Sequence, residues 1–273
     1  MVNKILSKRV QCLKDVIRVV NINYDLRYVA FLDLMGFRNM VDQSTIDADI
    51  LDTINRALDY TGYVQYNNYH GTFSLVELGK QVTSFSDSVV ISYNASMPGG
   101  GFYVLMDIVH ICINLLGLGI PVRGGVTVGK LIHTERKCFG PAMVRAYLME
   151  SQEAKVPRVL IDSEVMKHDL KNPGVANTVE YEAEYLSQII QKDAKDNNYF
   201  LDYLKQDEEF DEFELYLDYM LGIKEFIIRK LSTYKLSTHK DAKKIYKKYV
   251  WLKNYYNKTI EAVFEEPKQF LIP

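Results

Sequence analysis

The most apolar part of the sequence, residues 102–122, limits what the chain can fold into more than any other feature. It carries the polar residues Asp107 and His110, and it is broken at Gly117 and Pro121. A helix that crosses a membrane needs about 20 uninterrupted apolar residues. We therefore expect a buried helix that leads into a buried strand, and no membrane association.

The segments around this stretch alternate between strand and helix patterns. Apolar runs bounded by turn signals predict strands, and helical spacing predicts helices, in the order β-α-α-β-β-α-β-β-α-β. We interpret Ser86-Asp87-Ser88 as a tight turn between two strands within 72–93, and Gly129-Lys130 as a joint between strands 122–128 and 131–134. Because βα pairs and hairpins both occur, the fold class is α+β, ferredoxin-like or palm-type, with an antiparallel or mixed sheet and helices on one face.

The pattern divides the chain into three parts. Residues 1–26 form an N-terminal helix, residues 27–178 a central domain, and residues 179–273 a helical C-terminal extension. Strand signals vanish after about residue 180, and two long helices are predicted, roughly over 207–231 and 238–263. We interpret the lysines of this last region as a solvated helix face rather than a nucleic-acid surface, because acidic residues balance them nearby.

The composition excludes several classes of protein. A formal net charge of -2 gives no general attraction to nucleic acid or to anionic membrane. The three cysteines, Cys12, Cys112 and Cys138, are too widely spaced for a disulfide framework or a structural zinc site. The N-terminus lacks the apolar core and cleavage site of a signal peptide, so we expect a cytoplasmic protein.

Two aspartates at strand ends are the strongest candidates for chemistry. Asp33 ends an apolar run, and Asp87 lies in the predicted turn. Adjacent antiparallel strands would bring both carboxylates to one edge of the sheet, where they repel each other unless a cation joins them. Hard divalent ions that carry phosphates are held in this way. The alternative is that Asp33 caps a helix and Asp87 serves the turn.

Two further elements are suited to phosphate. Met35, Gly36 and Phe37 would present backbone N–H groups at a helix start, and a glycine lets a phosphate approach the main chain. Arg123 is a charged residue within an apolar strand. Its guanidinium could bind two phosphate oxygens at once, or it could simply face solvent. The glycines that follow it, at 124 and 125, indicate that something approaches this strand closely.

Four motifs in order resemble the class III nucleotidyl cyclases. They are FLDLMGF at 31–37, SFSDSVVIS at 84–92, VRGGVTVGK at 122–130 and FGPAMVRAYLMES at 139–151. Within that family they look most like the Pycsar pyrimidine cyclases of bacterial anti-phage signalling. The resemblance covers roughly residues 27–165.

The resemblance implies a role for each matching residue. Asp33 and Asp87 fall on the two metal-binding aspartates, and the carbonyl of Leu34 on the backbone ligand, for two Mg²⁺ or Mn²⁺ ions. Arg123 falls on a phosphate-binding arginine. Thr83 and Lys137 stand where purine cyclases place the residues that read adenine, and neither is of the adenine-reading type. A pyrimidine base is therefore implied, with Thr83 and Lys137 as its readers.

The last motif departs from the family. Purine cyclases carry Asn and Arg four residues apart in this helix, whereas this chain has Val144 and Leu148, which we interpret as a core stripe. Arg145, Lys155 and Arg158 are candidates to replace the missing pair, or are surface residues.

The resemblance thus implies a homodimeric cyclase that converts UTP to 3′,5′-cyclic UMP and pyrophosphate, with a separate effector that responds to the product. CTP remains an alternative substrate, and a silent nucleotide-binding or dimerisation module an alternative to an enzyme. A diguanylate cyclase is disfavoured because SFSDS is not a GGDEF-like hairpin. A zinc hydrolase is disfavoured because the histidines lack metal-ligand spacing.

Overall fold

The computed structural model describes residues 23–64 and 79–273 of the chain. Residues 1–22 of the predicted N-terminal helix lie outside these residues, and so do residues 72–78 of the predicted strand pair. Asp25 and Leu26, at the end of the predicted helix, belong to the first strand instead. The strands are β1 (Asp25–Leu34), β2 (Gln81–Phe85), β3 (Ser88–Asn94), β4 (Val122–Thr134), β5 (Lys137–Phe139), β6 (Val159–Ile161), β7 (Ile190–Lys192) and β8 (Tyr199–Leu201).

The helices lie between these strands and after them. They are α1 (Phe37–Ser44), α2 (Ala48–Tyr63), α3 (Gly100–Gly117), α4 (Pro141–Leu148), α5 (Ser163–Asp169), α6 (Val179–Ile189), α7 (Phe213–Leu236) and α8 (Ala242–Val263). A π-helical turn, Met149–Glu153, continues α4, and single 3-10 turns occur at Asp207–Glu209 and Pro267–Gln269.

The sheet confirms the predicted fold class. From β1 to β6 the elements alternate in the predicted order β-α-α-β-β-α-β-β-α-β, but β4 covers both of the strands predicted within 122–134, and β5 was not predicted. In the sheet, β1 lies between β3 and β4, and β2 pairs with the outer side of β3. This arrangement of the first four strands is that of a ferredoxin-like unit. The sheet is mixed, because β6 runs parallel to β4 whereas the other pairs are antiparallel.

Helices cover both faces of the sheet, so the expectation of helices on one face is wrong. Successive side chains of β1 alternate between two cores. Tyr28, Ala30 and Leu32 belong to the large core that includes α3, whereas Val29 packs with residues of α4 on the other face. The alternation follows from the two-residue period of a strand, and every residue from Tyr28 to Leu32 is apolar because both faces are covered.

The predicted joint at Gly129-Lys130 is also wrong, because β4 runs through it without interruption. Gly129 pairs with Arg27 and Lys130 with Leu26, so β1 is long enough to hold both in the ladder. A Cβ atom on Gly129 would lie 3.3 Å from the Cβ of Ala142. The glycine therefore serves the close packing of α4 on the strand, and the chain reverses after Thr134 instead.

The C-terminal extension is helical for most of its length but not wholly so. The helices α7 and α8 lie close to the two predicted segments. The sequence predicts no strands after about residue 180, yet β7 and β8 extend the sheet beyond β6. Each of these strands has three residues, which is too short to show a two-residue alternation in the sequence. The domain boundaries themselves stay a prediction.

Helix α3 occupies the most apolar stretch of the sequence, as predicted. By length and composition it could cross a membrane, but 67% of its most apolar window is buried inside the protein. The central helix of a packed core has the same properties.

Candidate active site

The two candidate aspartates lie at the same end of the sheet. Asp33 is placed in β1 between Ser88 of β3 and Arg123 of β4. Asp87 lies in the two-residue turn that joins β2 to β3. The N–H of Leu34 donates to the carbonyl oxygen of Asp87 at 2.8 Å, which joins the turn to the end of β1. The strand pairing thus brings together two residues that are far apart in sequence.

Arg123 lies between two carboxylates at this end of the sheet. Its Nη2 atom is 3.0 Å from Oδ2 of Asp33, and it also forms an ion pair with Glu150. The side chains of Arg123 and Asp33 are each 22% exposed, whereas that of Glu150 is 4% exposed. A guanidinium with two carboxylate partners is held in a fixed orientation.

Gly125 explains how Glu150 reaches the strand. A Cβ atom on this glycine would lie 2.4 Å from the Cβ of Met149 and 2.9 Å from the carbonyl oxygen of Ala146. The glycine therefore admits the end of α4 and its π-helical turn. The sequence predicted a close approach to this strand, and the structure identifies what approaches it as a helix end.

Sequence reasoning did not identify Glu150 as a site residue. In a regular helix its position gives no sign of burial, because glutamate is mostly an exposed residue. The π-helical turn that contains it, Met149–Glu153, changes the direction in which side chains leave the helix. Such turns are often found at functional sites.

Burial and mutual repulsion disfavour the charged forms of these carboxylates. Burial raises the pKa of Asp33, the positive charge of Arg123 lowers it, and the negative charge of Asp87 raises it. Burial likewise raises the pKa of Glu150, and the charges of Asp33 and Asp87 add to the effect of burial. One arginine therefore forms ion pairs with Asp33 and Glu150, and the negative charge of Asp87 acts on both of these carboxylates. A site of this kind gains stability when a cation binds.

The start of α1 offers a further binding element. Gly36 precedes the helix with φ +86°, a left-handed conformation that favours glycine. No atom of the described residues lies within 4 Å of where its side chain would begin. The N–H groups of Gly36 and Phe37 lie at the helix start, where backbone N–H groups have no carbonyl acceptor within the helix. The N–H of Met35, by contrast, donates to the carbonyl oxygen of Pro121 at 2.9 Å.

The two candidate base-reading residues lie away from the carboxylates. The hydroxyl of Thr83 is 2.9 Å from Nε2 of His133, whose Nδ1 is 2.8 Å from the hydroxyl of Ser92. Burial, with a smaller contribution from the charge of Arg27, lowers the pKa of His133 to about 4, so its ring is neutral. Lys137 pairs with Thr134 at the opposite end of β4 from Arg123. A single chain does not bring Lys137 to Asp33.

The helix that departs from the family pattern is not a core stripe at the two positions concerned. Val144 is 57% exposed, and Leu148 is half-buried. The helix packs on the sheet through the small residues Ala142 and Ala146 instead. Their size lets the helix lie close to β4, and Val144 is left on the outer side.

The three possible replacements for the missing Asn and Arg differ in their surroundings. Arg145 forms ion pairs with Glu153 and, at 3.6 Å, with Asp162. Arg158 is buried and forms ion pairs with two aspartates of the β7–β8 loop. Lys155 is exposed and lines the same cavity as Arg123. Of the three, only Lys155 has a charged side-chain group that forms no ion pair with another described residue.

The residues present fit a divalent cation that arrives with its substrate. The described residues contain no group of three or more His, Cys, Asp or Glu side chains arranged to hold a metal. Mg²⁺, however, is often held by one or two carboxylates together with substrate phosphates. Asp33 and Asp87 could supply the two carboxylates, and the carbonyl of Leu34 a further oxygen.

Comparisons with known proteins add little to this geometry. No protein-family model matches the chain, and no curated protein matches it. Among solved structures that match is a bacterial light-regulated adenylyl cyclase, at 13% sequence identity with a TM-score of 0.38. The match covers 61% of this chain and 56% of that one. A likeness at this level establishes neither a family nor an activity.

The chemistry of the site therefore rests on the residues themselves. It combines carboxylates suited to a hard cation, an oriented guanidinium and an open helix start at one end of a sheet. Phosphoryl transfer depends on positioning and on charge stabilisation, which are the functions that these groups can provide.

Proposed function

We propose that the protein is a nucleotide cyclase with its catalytic centre at Asp33, Asp87 and Arg123. The observation that carries this proposal is the meeting of Asp33 and the Asp87 turn beside an arginine oriented by Glu150. The order of the motifs along the chain, which resembles that of class III cyclases, supports a cyclase over other phosphoryl-transfer enzymes.

The reaction forms a bond between the 3′ oxygen and the α-phosphorus of a nucleoside triphosphate. The bond from that phosphorus to its bridging oxygen breaks, pyrophosphate leaves, and the proton of the 3′-hydroxyl passes to solvent. Two Mg²⁺ or Mn²⁺ ions, when bound, would make the 3′ oxygen more nucleophilic and neutralise the triphosphate. Asp33, Asp87 and the carbonyl of Leu34 would hold them.

The remaining groups position the substrate. Arg123 donates to phosphate oxygens as charge develops on the departing pyrophosphate. The N–H groups of Gly36 and Phe37 bind phosphate at the start of α1, and Met35 shapes the turn through its bond to Pro121. Because Val144 and Leu148 lack polar atoms, we assign the charge stabilisation that a polar pair would give to Lys155.

We propose UTP as the substrate, with CTP as the alternative. A threonine hydroxyl can donate or accept, so Thr83 can meet either base once it leaves His133. A lysine can only donate, so Lys137 favours carbonyl oxygens, and uracil has one where cytosine has an amino group. The product, cyclic UMP, would act as a messenger that a separate effector reads during anti-phage defence. Resemblance is the support for that biological role.

The site is proposed to form between two copies of the chain. Lys137 lies far along β4 from Arg123 in one chain, so a head-to-tail partner would have to bring it to the carboxylates. Exposed apolar side chains, Val144 and Tyr147 on α4 and Phe139 on β5, offer a surface that a second copy could cover. A two-fold dimer of this kind would contain two sites.

The test is incubation of the protein with each of the four ribonucleoside triphosphates and Mn²⁺, followed by identification of any cyclic product. We expect cyclic UMP to predominate, and specific activity to fall as the protein is diluted below its dimer dissociation constant. A cyclic CMP product would overturn the assignment of UTP. Nucleotide binding without any cyclic product would support the silent module.

A further inference from the structure

A large cavity adjoins the candidate active site, between β4 and the C-terminal extension. Its volume is about 960 Å³, and Arg123 lies in its wall. Cavities that hold a nucleotide or a drug-sized ligand measure about 300–1,000 Å³. Its lining comes from four parts of the chain: β4, the π-helical turn with the loop that follows it, the β7–β8 loop with Lys195, and the first half of α8 up to Asn254.

The charge of the lining is of one sign. Four lysines of α8 face the cavity, at positions 243, 244, 247 and 248, together with Lys155, Lys195 and Arg123. No acidic side chain is part of the lining within the described residues. None of these lysines forms an ion pair with a carboxylate in the described part of the chain. Lys243, Lys244 and Lys247 are exposed, in agreement with the interpretation of a solvated helix face, but the described acidic residues expected to balance them are not part of the lining.

The placement of these lysines is unfavourable for the helix alone. Lys243 and Lys247, and likewise Lys244 and Lys248, stand four residues apart, where like charges repel each other. Lys243 and Lys244 also lie in the first turn of α8, where the helix dipole is positive and disfavours cations. A bound anion would relieve both effects.

Lys248 links the cavity to the carboxylates. Burial lowers its pKa, and the charges of Arg123 and Lys244 lower it further, whereas Asp33 and Glu150 raise it. The α8 lysines and the candidate catalytic centre therefore lie within electrostatic reach of each other. A ligand that extended from Asp33 past Arg123 would enter the cavity.

We propose that this cavity binds the polyphosphate chain of a nucleotide, with α8 supplying the positive charge for the terminal phosphates and for the pyrophosphate product. The inference rests on the proposed function for the reaction that makes pyrophosphate, but not for the binding itself. A concave site next to a catalytic arginine favours a short polyphosphate over nucleic acid, which binds through extended charged surfaces.

The experiment uses inorganic tripolyphosphate as the probe, in EDTA, with the full chain. Trp251 is the single tryptophan of the chain and lines the cavity, so its fluorescence reports binding directly. We expect saturable binding that weakens with added salt. The double variant Lys244→Gln/Lys248→Gln should bind at least about tenfold more weakly, an effect of roughly 1.4 kcal/mol. Lys235→Gln/Lys240→Gln, at two exposed lysines outside the lining, should bind as the wild type does.

Three outcomes would overturn the inference: no binding by the wild type, equal loss in both double variants, or tighter binding of a single-stranded oligonucleotide than of tripolyphosphate. Cyclase assays separate this inference from the proposed function. If no triphosphate is cyclised but the α8 variant still binds tripolyphosphate more weakly than the wild type, the cavity is a polyphosphate site and the proposed function is wrong. If cyclisation occurs with an unchanged KM in the α8 variant, the proposed function stands and the role of α8 does not.

Discussion

Two arginines of this protein each lie between two carboxylates, yet their surroundings differ. Arg123 pairs with Asp33 and Glu150, and it opens onto a cavity. Arg158 pairs with two aspartates of the β7–β8 loop, and its side chain is 4% exposed, although it also borders a separate cavity of about 510 Å³. Its guanidinium carbon also lies 6.0 Å from the ring centre of Trp251. The same residue types thus form an open site, with incompletely compensated charges, in one place and a closed clamp, with paired charges, in the other.

The carboxylates around the two arginines respond in opposite ways. Burial raises the pKa of Asp33, so the folded protein disfavours its charge. The hydrogen bond from Arg158 lowers the pKa of Asp196, so the folded protein favours that charge. Asp193 has further donors, since it accepts from the indole N–H of Trp251 at 3.0 Å. We infer that an ion pair is a better candidate for function where its charges are left incompletely compensated than where they are well satisfied.

The largest effect should come from removing a carboxylate at the open site. We expect Asp33→Asn and Asp87→Asn each to lower turnover by more than about a thousandfold, or about 4 kcal/mol of barrier. Loss of a residue that merely supports a metal ligand costs about 10- to 100-fold, and a ligand itself should cost more. Asp52→Asn, at an exposed position of α2, is the control. Near wild-type cyclisation by either variant would contradict the two-metal assignment.

The closed clamp should respond through stability instead. We expect Arg158→Met to lower the free energy of unfolding by about 3 kcal/mol, because it leaves the half-buried carboxylate of Asp193 without its ion-pair partner. We take the low end of the usual range because Asp196 is 38% exposed. Turnover per folded molecule should stay unchanged. Denaturant unfolding and activity measured on the same sample test both statements, and a catalytic loss at full stability would place Arg158 in the active site.

Glu150 sharpens the comparison because it belongs to the open site but is itself buried. We expect Glu150→Gln to lower kcat/KM by roughly tenfold, as for other residues that orient a catalytic group. Arg123 would keep Asp33 as a partner but lose the anion that fixes its other side. Glu153→Gln, three residues further on and paired with Arg145, is the matched control. A lower melting temperature with unchanged kcat/KM would show that Glu150 serves folding alone.

These differences explain what the sequence could and could not predict. The run that ends at Asp33 and the turn at Asp87 have local signals, so the meeting of both residues at one end of the sheet was predicted. The partners of Arg123 depend on pairing across the sheet and on a π-helical turn, which leave no spacing in the sequence. The sequence shows the lysines at the start of α8 as charges, but only the fold shows that they line one cavity.

Three-residue strands mark a second limit. β8 is held in the sheet by β6, β7 is held by β8, and the Arg158 clamp holds the loop between them, so neither strand depends on an alternation of its own. Gly129 shows a third limit of prediction from the sequence, because a glycine inside a strand and a glycine in a turn look alike there. Tertiary contact with Ala142 decided between them.

The smallest effect, and the one that tests the comparison most directly, is the pH dependence of stability. The pKa of Asp33 is raised in the folded protein, chiefly by burial, so its contribution to stability is present below about pH 4, the ordinary aspartate range. That contribution is lost as the pH rises through the raised value. The metal-free Asp33→Asn variant should therefore gain stability relative to the wild type as the pH rises from 3 to 8.

Asp196 should show the opposite sign. Its pKa is lowered, chiefly by the hydrogen bond from Arg158, so its contribution is present above about pH 4 and is lost as the pH falls through the lowered value. Asp196→Asn should lose stability relative to the wild type as the pH rises over the same range. Melting temperatures of both variants and the wild type, measured in EDTA at several pH values, test the pair. If the two differences change with pH in the same direction, Asp33 is as well compensated as Asp196, and the contrast between an open site and a closed clamp is wrong.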